Sequence, residues 1–243
     1  MAKYKVFISP SDQTRNTYAS GNTNEAAVCE KIGAACKKAL ERCGIETMLV
    51  QYEPMSSKCA KSDAFGADLH LPIHTNAFNG SVAGTRIMCH ELSGDGYNAS
   101  KAIFDALAPL TPGTSENITA HPELYEIKHP DAPTAYIEVD FHDVPAVAEW
   151  LIANTELIGE TIAKGVCNYF GVAYVPVDGN PADQSTDAGK WSEEARKWAI
   201  KTGLITGVGT NSDGTTDYAW QDKITREQMV TILHRFALAT GLV

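Results

Sequence analysis

Four short stretches collect the polar residues whose types and spacing could do chemistry: Ser9-Pro10-Ser11-Asp12-Gln13, Gly21-Asn22-Thr23-Asn24-Glu25, His70-Leu71-Pro72-Ile73-His74-Thr75-Asn76-Ala77 and Tyr136-Ile137-Glu138-Val139-Asp140-Phe141-His142. A catalytic zinc needs three protein ligands from His, Asp or Glu, an open position for water, and a base close by. Glu25 and His74 are candidates for two of those ligands. Glu138 is a candidate for the base that takes a proton from bound water and returns it to a leaving amine. Each has a plainer explanation. Glu25 opens a predicted helix, where a carboxylate is favourable through the helix dipole alone. His74 could simply satisfy a strand end. Glu138, flanked by Ile137 and Val139, resists that treatment, because a carboxylate facing a sheet interior is costly without a partner or a task.

His70 and His74 do not make a metal pair. Four residues of strand span roughly 13 Å, whereas two ligands of one zinc sit about 3–3.5 Å apart given their bond lengths. His70 is therefore expected in the core or against a neighbouring layer. Cys29, Cys36 and Cys43, spaced by seven in one helical stretch, stack on one face roughly 10 Å apart along the axis. That is beyond disulfide reach, so they are expected as reduced, small hydrophobes facing a core.

The elements that must position these groups alternate. Residues 4–9 predict a strand, followed by a polar loop over 11–23. An apolar stripe of Ala26, Ala27, Ile32, Ala35, Ala39 and Leu40 predicts a helix over 24–43, with Gly44 as its stop. Strands are expected over 45–52, 68–74, 84–90 and 135–139, and helices over 56–65, 97–107 and 144–170. The order argues for an α/β domain, a three-layer mixed sheet flanked by helices, with a small helical C-terminal module. Active groups of such sheets gather at the C-terminal ends of strands, and His74 and Glu138 are both expected there.

The order of these segments resembles the zinc-dependent N-acetylmuramoyl-L-alanine amidases, which cut the bond between N-acetylmuramic acid and L-alanine. The match runs over roughly residues 4–171. It rests on the strand–loop–Glu25–helix opening, on Ala67 to Ala77, and on Pro133-Thr134-Ala135-Tyr136-Ile137-Glu138-Val139-Asp140-Phe141. The resemblance implies that Glu25 and His74 bind zinc and that Glu138 is catalytic. One departure stands out. The family places a histidine ligand just after the first strand, and here Asp12 occupies that place. Asp is a competent zinc ligand, and Gln13 or His142 are the other candidates for the third position.

Beyond a linker rich in Pro, Gly and Asp, the tail resembles a single S-layer homology repeat. The likeness is carried by Trp191, Ala195, Trp198, Gly203-Leu204-Ile205-Thr206-Gly207, Trp220 and Thr225-Arg226-Glu227-Gln228, the last a capping-box pattern. The implied division is 1–175 catalytic, 176–189 linker and 190–243 wall-binding. Trp191, Trp198, Trp220, Thr225, Arg226 and Glu227 are the candidate binding residues, peptidoglycan is the expected partner, and a secondary cell-wall polymer and oligomerisation through the tail are further expectations.

A formal net charge of -10 argues against a nucleic-acid surface, which needs clustered Lys and Arg. No run approaches the 18 apolar residues of a membrane span. The first ten residues read as a strand and not a signal peptide, so an autolysin or phage endolysin acting at the wall, cytoplasmic until released, is the expectation. The rival expectations are an inactive wall-binding protein, which Asp12 favours, and a metallopeptidase cutting within the stem peptide.

Overall fold

The computed structural model describes residues 3–177, 198–202, 204–205, 209–210, 216–217 and 226–240. The chain forms two compact units, Met1–Val177 and Asp178–Val243.

In the first unit the sequence alternation becomes a sheet with two unlike faces. Strands β1 (Lys5–Pro10), β2 (Glu46–Leu49), β3 (Leu69–Asn76), β4 (Arg86–Cys89), β5 (Asn117–Ala120) and β6 (Tyr136–Phe141) lie in the order β2-β1-β3-β6-β4-β5. β2, β1, β3 and β6 are parallel; β4 runs antiparallel to β6 and parallel to β5. Because side chains alternate along a strand, Val6, Ile8, Leu69, Leu71, Ile73, Ile137 and Val139 share one face. They form a core with α1 (Glu25–Arg42), α3 (Gly94–Leu107), α5 (Pro145–Ala153) and α6 (Thr155–Phe170). Each fully buried Leu or Ile there contributes roughly 1.5–3 kcal/mol. The other face carries Phe7, Ser9, His70 and His74 and is met by α2 (Met55–Phe65) and α4 (Tyr125–Lys128). This is the expected α/β sheet flanked by helices.

Helix α1 is fixed at both ends. Asn24 caps it, its Oδ1 accepting from the Ala27 N–H at 3.0 Å, an arrangement whose loss costs about 1 kcal/mol. Gly44, at φ +77°, ends it: the Gly44 N–H donates to the Glu41 carbonyl and the Ile45 N–H to the Leu40 carbonyl, both at 3.0 Å. Cys29 and Cys36 are buried on its core face, and all six cysteines are free thiols. α1 packs closely on α6, where a Cβ added at Gly159 would lie 2.6 Å from the Ile32 carbonyl oxygen and 2.7 Å from the Cys36 nitrogen.

The sequence expectations differ from the structure at three places. The single helix over 144–170 is two, interrupted at Asn154, whose side-chain amide donates to the Trp150 carbonyl at 2.7 Å. β5 and the one-turn α4 have no counterpart among the expectations. His74 and Glu138 lie near the C-terminal ends of their strands, as expected, β3 continuing to Asn76 and β6 to Phe141.

Of the second unit, β7 (Gly209–Thr210) pairs antiparallel with β8 (Thr216–Asp217), and α7 spans Arg226–Thr240. Trp198 lies in a helical turn over 198–201, where its carbonyl accepts from the Thr202 N–H at 2.9 Å. Trp191, Trp220 and Thr225 lie outside the described residues, as do the side chains of Arg226 and Glu227.

Candidate active site

Three adjacent parallel strands, β1, β3 and β6, bring their C-terminal halves to one edge of the sheet, where the loop over 11–24 and the start of α1 close over them. The Ser11 N–H donates to the Ile73 carbonyl at 2.9 Å, which ties the exit of β1 to β3. Gln51 then pins the loop, its amide donating to the carbonyls of Ser11 at 2.5 Å and Ala26 at 3.0 Å.

Glu25 and His74 meet there. His74 Nδ1 lies 2.9 Å from Glu25 Oε1, both side chains are buried, and the imidazole stacks on the Tyr136 ring with centroids 4.7 Å apart. Gln13 Nε2 lies 3.4 Å from the same His74 Nδ1. Asn16 Nδ2 donates at 2.7 Å to Gln13 Oε1 and, also at 2.7 Å, to Glu25 Oε2. Burial opposes both charges, but the partners prevail. Glu25 is held below the ordinary carboxylate range by the hydrogen bond and charge of His74 and by Asn16. The His74 imidazole is raised by Glu25 and Glu138.

Glu138 is the register partner of His74 across β3 and β6. Burial pushes its carboxyl up to about 7, the His74 charge working against this and the Glu25 charge with it. Its Oε2 is buried and has no hydrogen-bond partner among the described residues, and neither has His74 Nε2. An uncommitted carboxylate titrating near neutrality is suited to passing a proton in either direction.

The three candidates for the third position are placed differently. Asp12 lies 3.8 Å from the buried Lys58 Nζ and keeps its side chain 41% exposed. Gln13 stands beside His74. His142 Nδ1 is engaged with Thr75 Oγ1 at 2.9 Å, Thr75 in turn with Tyr18 at 2.8 Å, and the Tyr18 ring stacks on His142. Burial holds His142 below the usual imidazole value. Among the described residues no three His, Cys, Asp or Glu side chains gather as a metal cage.

A second buried polar group lies under α2 and α4. Glu126 Oε1 accepts from Ser9 Oγ at 2.5 Å and faces His70 Nε2 at 3.2 Å. His70 Nδ1 is 3.0 Å from Ser62 Oγ, and its ring stacks on Phe7. Against the cost of burial, His70, Ser9 and Lys58 hold the Glu126 carboxyl down. His70 thus serves the interior, as the strand-spacing argument requires. Glu126 was not among the sequence candidates, and neither were Asn16, Tyr136, Thr75 and Tyr18; Asn16 and Tyr18 lie in the polar loop over 11–23 and Thr75 and Tyr136 in two of the four polar stretches, whereas no pattern marks Glu126.

Comparison with known proteins identifies the family and the fold. Residues 6–168 match the family described as N-acetylmuramoyl-L-alanine amidase. No curated protein sequence matches the chain significantly. Among solved structures, the chain is similar in fold to the catalytic domain of the amidase CwlV from Bacillus (Paenibacillus) polymyxa var. colistinus (15% identity, TM-score 0.63, covering 70% of this chain and 99% of that one). It is likewise similar to an N-acetylmuramoyl-L-alanine amidase from Clostridium difficile 630 (18%, 0.61, 70% and 98%). The catalytic domain of the CD27L endolysin, which targets Clostridia difficile, is similar too (20%, 0.58, 68% and 97%). At these identities the structures speak to the fold, whereas the family match spans most of the chain: the protein belongs to the N-acetylmuramoyl-L-alanine amidase family.

Proposed function

We propose that the first unit hydrolyses the amide between N-acetylmuramic acid and L-alanine in peptidoglycan, with a divalent metal, zinc, held by Glu25 and His74 and with Gln13 as the third protein donor. The observation that carries the reading is the conflict at His74 Nδ1. A carboxylate 2.9 Å away asks it to donate, while an amide nitrogen 3.4 Å away asks it to accept. One nitrogen cannot do both. Turning the Gln13 amide over removes the conflict and sets its carbonyl oxygen beside the imidazole nitrogen and the Glu25 carboxylate, three groups that would together hold a cation. Asp12, drawn to Lys58, is the weaker choice.

Bound there, the metal would polarise the scissile carbonyl and acidify water. The protein's own residues do the rest. Tyr136, stacked on His74, fixes the imidazole plane, and Asn16 orients Glu25. Glu138 takes a proton from the attacking water and delivers it to the nitrogen of L-alanine as the carbon–nitrogen bond breaks. Its burial, which pushes the carboxyl up, favours its holding the proton between these two steps. The wall is the site of action, as autolysin or phage endolysin, with the C-terminal unit as a wall-binding module.

Digestion of purified peptidoglycan, with and without a chelator, tests the reading. Chelator-sensitive appearance of N-terminal L-alanine is expected, and Glu138→Gln should lower turnover by at least about a hundredfold with bound metal unchanged. A different freed terminus would point to a peptidase cutting the stem peptide. Retained turnover in Glu138→Gln would remove this residue from the mechanism.

A further inference from the structure

The loop from Ala77 to Thr85, which leaves the end of β3 three residues after His74, displays one large apolar side chain. Phe78 is 74% exposed. Such exposure has a cost in water, and here the backbone is built to hold it. Asp143, on the loop that leaves β6 beyond Glu138, accepts through a single oxygen, Oδ2, from the Phe78 and Gly80 N–H groups, each at 2.8 Å. Asn79 Oδ1 accepts from the Ser81 N–H at 3.1 Å, the Ser81 hydroxyl at 2.8 Å and the Val82 N–H at 3.1 Å. Gly80 takes the left-handed turn this requires, at φ +73°. The base of the loop is tied as well, the His142 N–H donating to the Asn76 carbonyl at 2.8 Å. Both anchors lie at or just beyond the ends of the strands that carry His74 and Glu138, so the backbone at Phe78 is held relative to the reacting groups.

The composition of the loop narrows the ligand. Thr75 to Thr85 contains no charged residue, in a chain where 21% of residues are charged. A stem peptide brings carboxylates, which call for Lys or Arg. A sugar ring brings a C–H face and neutral hydroxyl and acetamido groups, which suit an aromatic face bordered by amides and hydroxyls. Asn76, Asn79 and Ser81 border Phe78 in this way.

We propose that Phe78 is a glycan-binding residue: its ring stacks on a sugar of the peptidoglycan strand and sets the muramoyl amide against Glu138. This deepens the amidase reading and rests on it for the identity of the strand. Phe78 binds and takes no part in bond breaking, so its loss acts on substrate capture.

The test uses the full chain. Phe78→Ala should raise KM for intact peptidoglycan by about tenfold, the change expected on losing roughly half of a buried aromatic side chain, with kcat within twofold and an unchanged thermal midpoint. Phe78→Trp, which keeps an aromatic face, should stay near wild type. A readout independent of turnover comes from Phe78→benzoylphenylalanine, irradiated with peptide-free glycan strands or with glycan-free stem peptide; crosslinking to the glycan is expected. Crosslinking to the peptide alone, or an unchanged KM in Phe78→Ala, overturns the proposal. Crosslinking of glycan by the benzoylphenylalanine variant, together with a wild-type protein that hydrolyses no peptidoglycan, would remove the amidase reading and leave Phe78 as a glycan contact.

Discussion

The contact between α1 and α6 gives a prediction whose sign is not obvious. Replacing glycine by alanine inside a helix ordinarily gains about 1 kcal/mol, through helix propensity and a less flexible unfolded chain. At Gly159 the added Cβ would stand 2.6 Å from Ala35 Cβ, 2.6 Å from the Ile32 carbonyl oxygen and 2.7 Å from the Cys36 nitrogen. Two of these are backbone atoms of α1, so no rotamer change relieves the overlap. The helices must part by roughly 1 Å to restore ordinary contact distances, which places the cost at or above the upper end of the 1–3 kcal/mol typical of overpacking. The net expectation is a loss of about 2 kcal/mol, or roughly 4–8 °C in thermal midpoint for a domain of this size. Urea unfolding of Gly159→Ala followed by circular dichroism measures it. Activity should fall as well, because α1 carries Glu25 at its first turn and moves as a body. A variant as stable as wild type, or more so, would refute the claim that the two backbones touch at this residue.

Two further outcomes follow from the polar groups at and beneath the site. Gln13→Ala should weaken zinc binding at least about tenfold, read as metal content after dialysis, while Asp12→Ala should leave it nearly unchanged; the reverse pattern would assign the third position to Asp12. Glu126 is held below its ordinary value of 4.5, so its stabilisation is fully present above that pH and is lost as pH falls through the lower folded value. The stability difference between wild type and Glu126→Gln should therefore be largest at neutral pH and shrink below about pH 4.5; a difference that grows on acidification would show that the carboxylate is not the stabilising form.

Sequence patterning served best where it reflects local periodicity. The stripe of α1, its Gly44 stop and the alternation of β1 and β3 all follow from side-chain spacing and capping chemistry. It served least where partners are distant. Glu126 sits in a one-turn helix, and it is explained only by Ser9 and His70, which lie on two other elements. Asp12 and Gln13 are neighbours in the chain, yet a lysine buried on α2 draws the first away while the second turns to His74. No spacing rule distinguishes them. The four-residue β5 is too short to show an alternation, and it is recruited by pairing with β4.

The six free thiols carry a consequence for the molecule outside a reducing compartment. Disulfide exchange and oxidation proceed through the thiolate. Burial pushes the Cys59 and Cys167 thiols up to about 12, so at neutral pH very little of either is ionised. Cys29, Cys36 and Cys89 are raised by the same cause. A small oxidant meeting the folded domain therefore finds almost no nucleophile at these positions. The reactivity of these sulfurs is governed by how often the domain opens, and the rate at which they take up a thiol-specific label becomes a clock for its unfolding.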